Sequence, residues 1–387
     1  MHLNASAGFF AGLMENKGWS VVVTVFATLL LFGFLIFIHE LGHYLTARLF
    51  HVTIKEFAIG MGPKVLSGTS KKTGITYSYR ALPIGGYVAM EGEDEESSDP
   101  DAFVKKKVWQ RMIITAAGAA MNLLLGFLLT LIYVSTMPAF YGTTVTDFPE
   151  KAYSDKCGNA LAVGDEILKI EGHSVGTGQE IVYELFRAGT NKKRQIKNEE
   201  GTVVAARVNL VVRRDGEKTE LKDVVFPVIS ENGQNFGLRD FNYDEHRKTP
   251  LNVLKGTVRQ MGLSVRMVYE SLFDLVTGRY GFSAISGPVG AAEVVGEAIK
   301  QDVTAKTGES RNTFVYLAMM ITVNLGVFNL LPVPALDGGR LFFQLIELIF
   351  RKPIPRKYEA IVNLVGIVLL LGLMAAVTLK DIISLIR

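Results

Sequence analysis

Residues 21–50 read VVVTVFATLLLFGFLIFIHELGHYLTARLF. From Val21 to Ile38 the run is unbroken and apolar, long enough for most of a bilayer crossing. The helical pattern then continues without a break into His39, Glu40 and His43. An H-E-x-x-H array on a helix sets two imidazoles four residues apart on one face, where they can share one zinc ion. Glu40 lies about 100° round the helix from His39, close enough to act on a water at the metal without being a ligand. H-E-x-x-H also arises by chance in soluble helices. Inside an apolar span the chance reading loses ground, because ionisable groups there are costly and mark function.

Composition agrees with a membrane setting. The chain has 387 residues, is 49% hydrophobic and has a mean hydropathy of +0.26. That is too apolar for an ordinary soluble enzyme and too charged for a transporter built wholly of spans. A membrane protein with a water-exposed domain of about a hundred residues fits. The net charge is only +3 and no stretch resembles a nucleic-acid-binding patch, so nucleic acid is not an expected partner. One cysteine, Cys157, excludes a disulfide framework or a cysteine zinc site within one chain. The first 20 residues lack the features of a cleaved secretory signal, so the run from Val21 is expected to act as an uncleaved signal-anchor.

Four spans are expected, at about Val21–Leu49, Met112–Met137, Phe314–Leu331 and Ile361–Leu379. The loop after the first carries Arg48, Lys55, Lys64, Lys71, Lys72, Arg80, Lys105, Lys106, Lys107 and Arg111, against Lys17 alone before it. The loop after the third carries Arg340, Arg351, Lys352, Arg356 and Lys357. These two connections are therefore expected in the cytoplasm, with the long segment between spans two and three outside. The division that follows is 1–50 for the N-terminal segment and first span, 51–107 for the cytoplasmic loop and 108–138 for the second span. Next come 143–238 for an outer domain, 249–300 for an amphipathic helical region, 313–345 for the third span with its motif and 357–380 for the fourth.

In the cytoplasmic loop, Ile75–Arg80 alternates like a half-exposed strand, Val52–Ile59 is a partner strand and Gly68–Gly74 the turn. The acidic run Glu91–Asp101 reads as a solvated linker. In span two, Gly118 reads as a packing residue, and Asn122 as either an interhelical hydrogen bond or part of the site. The outer segment has β-rich runs, and Ala160–Gly172 followed by a helix at Gln179–Ala188 resembles a PDZ domain. Such a groove would bind an extended peptide by strand addition; a spacer that only occupies volume is the plainer alternative. After Thr249-Pro250, an apolar stripe from Leu251 to Leu275 marks a long helix, on the membrane surface or packed against protein.

Two histidines and water leave a catalytic zinc one protein ligand short. Cys157, His173 and His246 are expected on the far side of the membrane, and His51 lies beyond the motif. Asp337, in Asn329-Leu-Leu-Pro-Val-Pro-Ala-Leu-Asp337-Gly-Gly339, is the best candidate. Its prolines end span three, and irregular backbone at membrane depth is tolerated only inside protein or beside a water-filled cavity. A helix cap or turn residue is the plainer role for Asp337.

The residues His39-Glu-Leu-Gly-His43, Gly118 with Asn122, the PDZ-like run and Asn329–Gly339 together resemble the site-2 protease family of intramembrane zinc metalloproteases, in its bacterial regulator-of-sigma-factor group. Nearly the whole chain is covered. One departure is Ala119, where the family has proline. The resemblance implies a polytopic α-helical membrane protein with four transmembrane helices, a cytoplasmic membrane-reentrant β-hairpin and one extracytoplasmic PDZ-like α+β domain. It implies zinc (Zn2+) held by His39, His43 and Asp337, Glu40 as catalytic base, and Asn329 on the substrate backbone, with Asn122 as a second candidate substrate contact. The expected activity is peptide hydrolysis within single-span substrates such as anti-sigma factors or signal-peptide remnants, in the bacterial inner membrane, with the PDZ-like domain screening substrates. Its partners are thus transmembrane protein or peptide substrates and the lipid bilayer. A scaffold with a structural metal would not need Glu40. A metal transporter would need more spans and more buried carboxylates.

Overall fold

The computed structural model describes residues 17–93, 95–156, 158–231, 234–278, 285–305 and 312–386; Cys157 lies outside them. The chain divides into two compact units, one formed by Met137–Leu263 and the other by the residues before and after it. Among the described residues four helices are long and apolar enough to cross a membrane, Gly18–Leu49, Val108–Thr136, Thr313–Leu330 and Lys357–Ile383. This is the architecture of a membrane protein with a sheet domain.

The membrane unit is built on α1 (Lys17–Leu49) and α2 (Val108–Thr136). Small residues set their distance. A Cβ on Gly42 would lie 2.3 Å from the Ala117 carbonyl oxygen, so only glycine lets α2 come this close to the H-E-x-x-H turn. Helix α6 (Thr313–Leu330) meets α2 in the same way, Gly326 against Leu123 and the Ala119 carbonyl. After α6 the prolines break the helix, and α7 (Asp337–Phe350) and α8 (Arg356–Ile386) complete this part. Helix α6 covers nearly the Phe314–Leu331 stretch expected as span three, and α7 is a separate helix.

Between α1 and α2 the strands β1 (Ile54–Thr69) and β2 (Thr76–Met90) pair as a long hairpin with many register shifts. The strands continue further than the Val52–Ile59 and Ile75–Arg80 segments anticipated, and the turn is confined to residues 70–75. Ile59 faces both Gly86 and Tyr79, so the hairpin doubles back and β1 lies against two stretches of β2. Gly60 (φ 87°), Gly62 (φ 85°) and Gly85 (φ 84°) make the bends. Its buried residues Val52, Ile54, Phe57, Val88 and Met90 pack with Ala47 and Ile114 of the helices. The acidic run that follows is not a free linker. Its backbone is tied by Thr53 N–H to Asp101 O at 3.1 Å and Phe103 N–H to Glu91 O at 2.8 Å.

The second unit carries an eight-stranded sheet in the order β10-β3-β4-β7-β8-β9, with β5 added on β4 and β6 on β7. The strands are β3 (Phe140–Asp147), β4 (Glu166–Ile170), β5 (His173–Ser174), β6 (Gln195–Lys197), β7 (Val203–Arg214), β8 (Glu217–Glu231), β9 (Gln234–Gly237) and β10 (Asn242–His246). Helix α3 (Gly178–Gly189) is capped by Thr177, whose hydroxyl accepts from Glu180 N–H at 3.3 Å. It contributes Ile181 and Leu185 to a core with Ile167, Ile170, Leu210 and Phe226. The sheet reaches beyond the 143–238 stretch at both ends, because β3 begins at Phe140 and β10 pairs with it at one edge without an apolar alternation to announce it.

Helix α4 (Pro250–Val276) starts where Thr249-Pro250 anticipates it. Over the first half its apolar stripe faces outward and is not packed against protein. Leu251, Leu254 and Val258 are exposed, and the buried side holds Thr257, Gln260 and Ser264. Helix α5 (Pro288–Thr304) follows.

Candidate metal centre

Three elements deliver the centre. Helix α1 presents His39 and His43 on one face, one turn apart, and the loop after α6 delivers Asp337 at the first residue of α7. The Asp337 Oδ2 atom lies 3.1 Å from His39 Nε2 and 3.2 Å from His43 Nε2, and the two Nε2 atoms are 3.2 Å apart. Among the described residues this is the group of three whose donor atoms could hold a metal ion. Asp337 is therefore no simple cap: the cap position is Leu336, and Asp337 Oδ2 is buried with no hydrogen bond.

The triangle fits zinc. Tetrahedral bonds of ~2.0–2.1 Å place neighbouring ligand atoms about 3.3 Å apart. An orphaned buried carboxylate oxygen facing two ring nitrogens is also the kind of cost that a cation removes. Bound there, zinc would supply Lewis-acid activation of water and of a peptide carbonyl.

The ring nitrogens away from the cluster are tied down. His43 is buried and its Nδ1 lies 2.8 Å from the Ile114 carbonyl, which can only accept; the proton sits on Nδ1 and Nε2 is left as a lone pair. His39 Nδ1 meets the Asn122 side chain, with the amide nitrogen at 3.3 Å. Asn122 is wholly buried and its Oδ1 has no partner. Turning the amide end for end lets Oδ1 accept from Nδ1–H of His39, satisfies the stranded oxygen and aims the Nε2 lone pair at the cluster.

Gly118 stands directly beneath. A Cβ there would lie 2.3 Å from His43 Nε2 and 2.8 Å from His39 Nε2. The residue read as helix packing is thus a wall of the centre itself. The spacing Gly118-x-x-x-Asn122 contains this signal, since it puts both on one face of α2.

Glu40 follows His39 and is half-buried. Its carboxyl lies within electrostatic reach of His43, His39, Asp337 and Glu93. Strand β2 passes beside it: a Cβ on Gly86 would lie 3.1 Å from Glu40 Cγ and 3.0 Å from the Ala58 carbonyl oxygen. Asn329 sits half-buried in the last turn of α6, one loop before Asp337. His51 is exposed just beyond α1, while His173 pairs with Glu184 and His246 with Asp244 in the sheet unit.

The loop that carries Asp337 is tight. A Cβ on Gly338 would fall 2.0 Å from the Leu331 carbonyl oxygen, and one on Gly339 2.6 Å from that of Val333. Ala335 holds φ 72°, a left-handed conformation costing about 1–2 kcal/mol for a residue with a side chain. Helix α7 is pinned to α2 by Gln344 Nε2–H donating to Thr115 Oγ1 at 3.0 Å and by the Arg111–Glu347 pair at 2.7 Å. Arg340, one turn past Asp337, pairs with Glu93 at the end of the hairpin. No sequence signal announces that pair. A cavity of about 220 Å³ opens here, lined among others by Glu93, Arg111, Arg340, Glu347 and Asn363.

Comparison with known proteins agrees with this centre. The chain matches Peptidase family M50 over residues 27–373. It is 36% identical to a protein of Clostridium perfringens provisionally named as a zinc metalloprotease, covering 92% of this chain and 97% of that one. It is 30% identical to the zinc metalloprotease RasP of Bacillus licheniformis and 29% identical to the regulator of sigma-W protease RasP of Bacillus subtilis. Each of these two matches covers 93% of this chain and 98% of the relative. With the match running through the H-E-x-x-H helix and past Asp337, the chain belongs to peptidase family M50, the site-2 proteases, and is a zinc metalloprotease.

Proposed function

We propose that this metalloprotease hydrolyses peptide bonds within membrane-spanning segments, in regulated intramembrane proteolysis. The observation that carries the reading is the convergence of His39, His43 and Asp337 at the end of a helix apolar enough to cross a membrane. His39, His43 and Asp337 hold the zinc, and Asn122 orients His39. Glu40 takes a proton from the attacking water and delivers it to the leaving amine. A helical substrate hides its peptide bonds and must unwind. Strand β2, which Gly86 brings against Glu40, offers backbone along which the unwound segment can pair, and Asn329 holds the same segment by its amide.

The lysine and arginine distribution supports an arrangement with the hairpin in the cytoplasm, re-entering the membrane, and the sheet domain outside. The sheet domain, read as PDZ-like, then screens substrates by size or by a freshly exposed C-terminus. The substrates are single-span proteins already trimmed by another protease, such as anti-sigma factors or signal-peptide remnants, in a bacterial inner membrane. The name of the Bacillus subtilis relative, a regulator of sigma-W protease, supports the sigma-factor connection.

The test is cleavage of a model span by the purified full-length protein, with and without chelator, alongside Glu40→Gln. The parent should cleave only when metal-loaded. Glu40→Gln should keep its zinc and lose cleavage, because it removes a base and no ligand. Proteolysis by metal-loaded Glu40→Gln would overturn the mechanism.

A further inference from the structure

Asp337 hangs from a loop whose conformation is not self-sustaining. Ala335, two residues before it, holds φ 72°. An alanine in the left-handed region persists only where its surroundings hold it there. Part of the holding comes from α8, the fourth apolar helix. The Ala335 N–H donates to Asn363 Oδ1 at 3.3 Å. Three residues on, Gly366 is a notch for the same loop: a Cβ there would lie 2.5 Å from Pro334 Cβ and 2.8 Å from the Pro334 carbonyl carbon and oxygen. Asn363 and Gly366 share one face of α8. The rest of that stretch turns outward, with Leu364, Val365, Val368 and Leu369 exposed. From Ala360 to Val377 every other side chain is apolar or absent, and an amide in such a stretch of a span calls for a function.

We propose that Asn363 and Gly366 are positioning residues for Asp337: the Asn363 amide and the Gly366 notch fix the Pro334–Ala335 turn, and the turn aims the Asp337 carboxylate at His39 and His43. The proposal rests on Asp337 being a zinc ligand. It gives α8, which contributes no residue to the His39–His43–Asp337 triangle, a defined part in assembling it. The acceptor on Asn363 is an oxygen, so aspartate can replace it and alanine cannot. Glycine at position 335 takes the left-handed conformation without support.

The experiment measures zinc affinity by chelator competition, with kcat and KM on a model span, for purified full-length variants. Asn363→Ala should bind zinc about 10-fold more weakly, as loss of an outer-shell partner does, with kcat lowered and KM little changed. Asn363→Asp should stay close to the parent. Adding Ala335→Gly to Asn363→Ala should recover most of the lost affinity, which a merely structural role for Asn363 would not produce. Gly366→Ala should lower zinc affinity through the same turn, and it decides the matter if Asn363→Ala does not fold. Parent-like affinity in Asn363→Ala or Gly366→Ala, or a loss that Ala335→Gly leaves uncorrected, would overturn the proposal. Asp337→Ala is the control. If it loses zinc while Asn363→Ala does not, only the role of α8 fails; if it binds zinc like the parent, the ligand assignment itself fails.

Discussion

The two compact units differ in what they expose and in what their buried polar groups do. In Met137–Leu263 the interior is apolar, with Ile167, Ile170, Ile181, Leu185, Leu210 and Phe226 sealed from solvent. In the other unit the large apolar side chains face outward: Val21, Phe26, Leu30 and Phe34 on α1, and Leu364, Val368 and Leu369 on α8. Its interior mixes apolar residues such as Leu35, Ile114 and Met319 with the polar His43, Thr115, Asn122, Thr322 and Gln344. In water, apolar burial drives folding. Against lipid, an apolar side chain gains little by turning inward, so small residues and polar contacts set the packing. Buried polar groups therefore mean different things in the two places. In the sheet unit Asp240 accepts from the N–H groups of Tyr153 and Ser154 and from the Ser154 hydroxyl, and it closes a loop. In the membrane unit Asn122, Thr115 and Gln344 all lead, directly or through α2 and α7, to the two histidines and Asp337.

The largest contrast is expected at glycines. Gly118→Ala puts a methyl group onto the ring nitrogens of His43 and His39, and displacing ligands by even ~1 Å can cost about 100-fold in rate. Zinc content should fall with it. Gly158→Ala in the sheet unit meets open space and should change neither. Equal behaviour of the two variants in a cleavage assay would erase the distinction.

A smaller contrast separates buried polar groups. Asn122→Leu should weaken zinc binding about 10–100-fold with little change in unfolding. Asp240→Ala should do the reverse, destabilising the sheet unit by about 2–3 kcal/mol through its stranded donors while zinc affinity stays put. Zinc titration and hydrogen exchange, run on both variants, read the two effects separately. Zinc loss in Asp240→Ala would break the comparison.

Much of this organisation is legible in the sequence, and the limits have physical causes. His39, Glu40 and His43 are legible because helical spacing alone places them. The break after α6 is legible because Pro332 and Pro334 cannot continue a helix. The doubled-back hairpin is not, since Gly60, Gly62 and Gly85 read as punctuation and only their positive φ values, fixed by tertiary contacts, turn punctuation into bends. Nor is the Arg340–Glu93 pair, whose partners are brought together by the fold and not by any local pattern. The apolar stripe of α4 leaves its covering open for a related reason. Periodicity reports a face and not what covers it: over the first half of α4 the stripe is exposed while Thr257, Gln260 and Ser264 are buried.

The smallest effect concerns the hairpin, where a charged group is held at the edge of the membrane unit. Burial pushes the Glu56 carboxyl up, but the bonds from Ser78, Lys64, Arg80 and Tyr87 outweigh it and hold the pKa down to about 2. A carboxylate held below its ordinary value of 4.5 stabilises the fold fully above that value, and the contribution disappears as pH falls toward 2. Protection of the β1 and β2 amides, corrected for intrinsic exchange, should therefore decline across that window in the parent and stay flat in Glu56→Gln. A parent as flat as the variant would contradict the assignment.

The central claim is that Asp337 completes a zinc site begun by His39 and His43. Zinc stoichiometry together with X-ray absorption on purified parent and Asp337→Ala tests it most directly. The parent should hold one zinc ion with two imidazole nitrogens at ~2.0–2.1 Å and a carboxylate oxygen at ~2.0–2.2 Å. Asp337→Ala should lose that oxygen, most of its zinc affinity and its activity, because two histidines alone hold zinc poorly. An Asp337→Ala protein that binds zinc as tightly as the parent, with an unchanged coordination shell, would contradict the account.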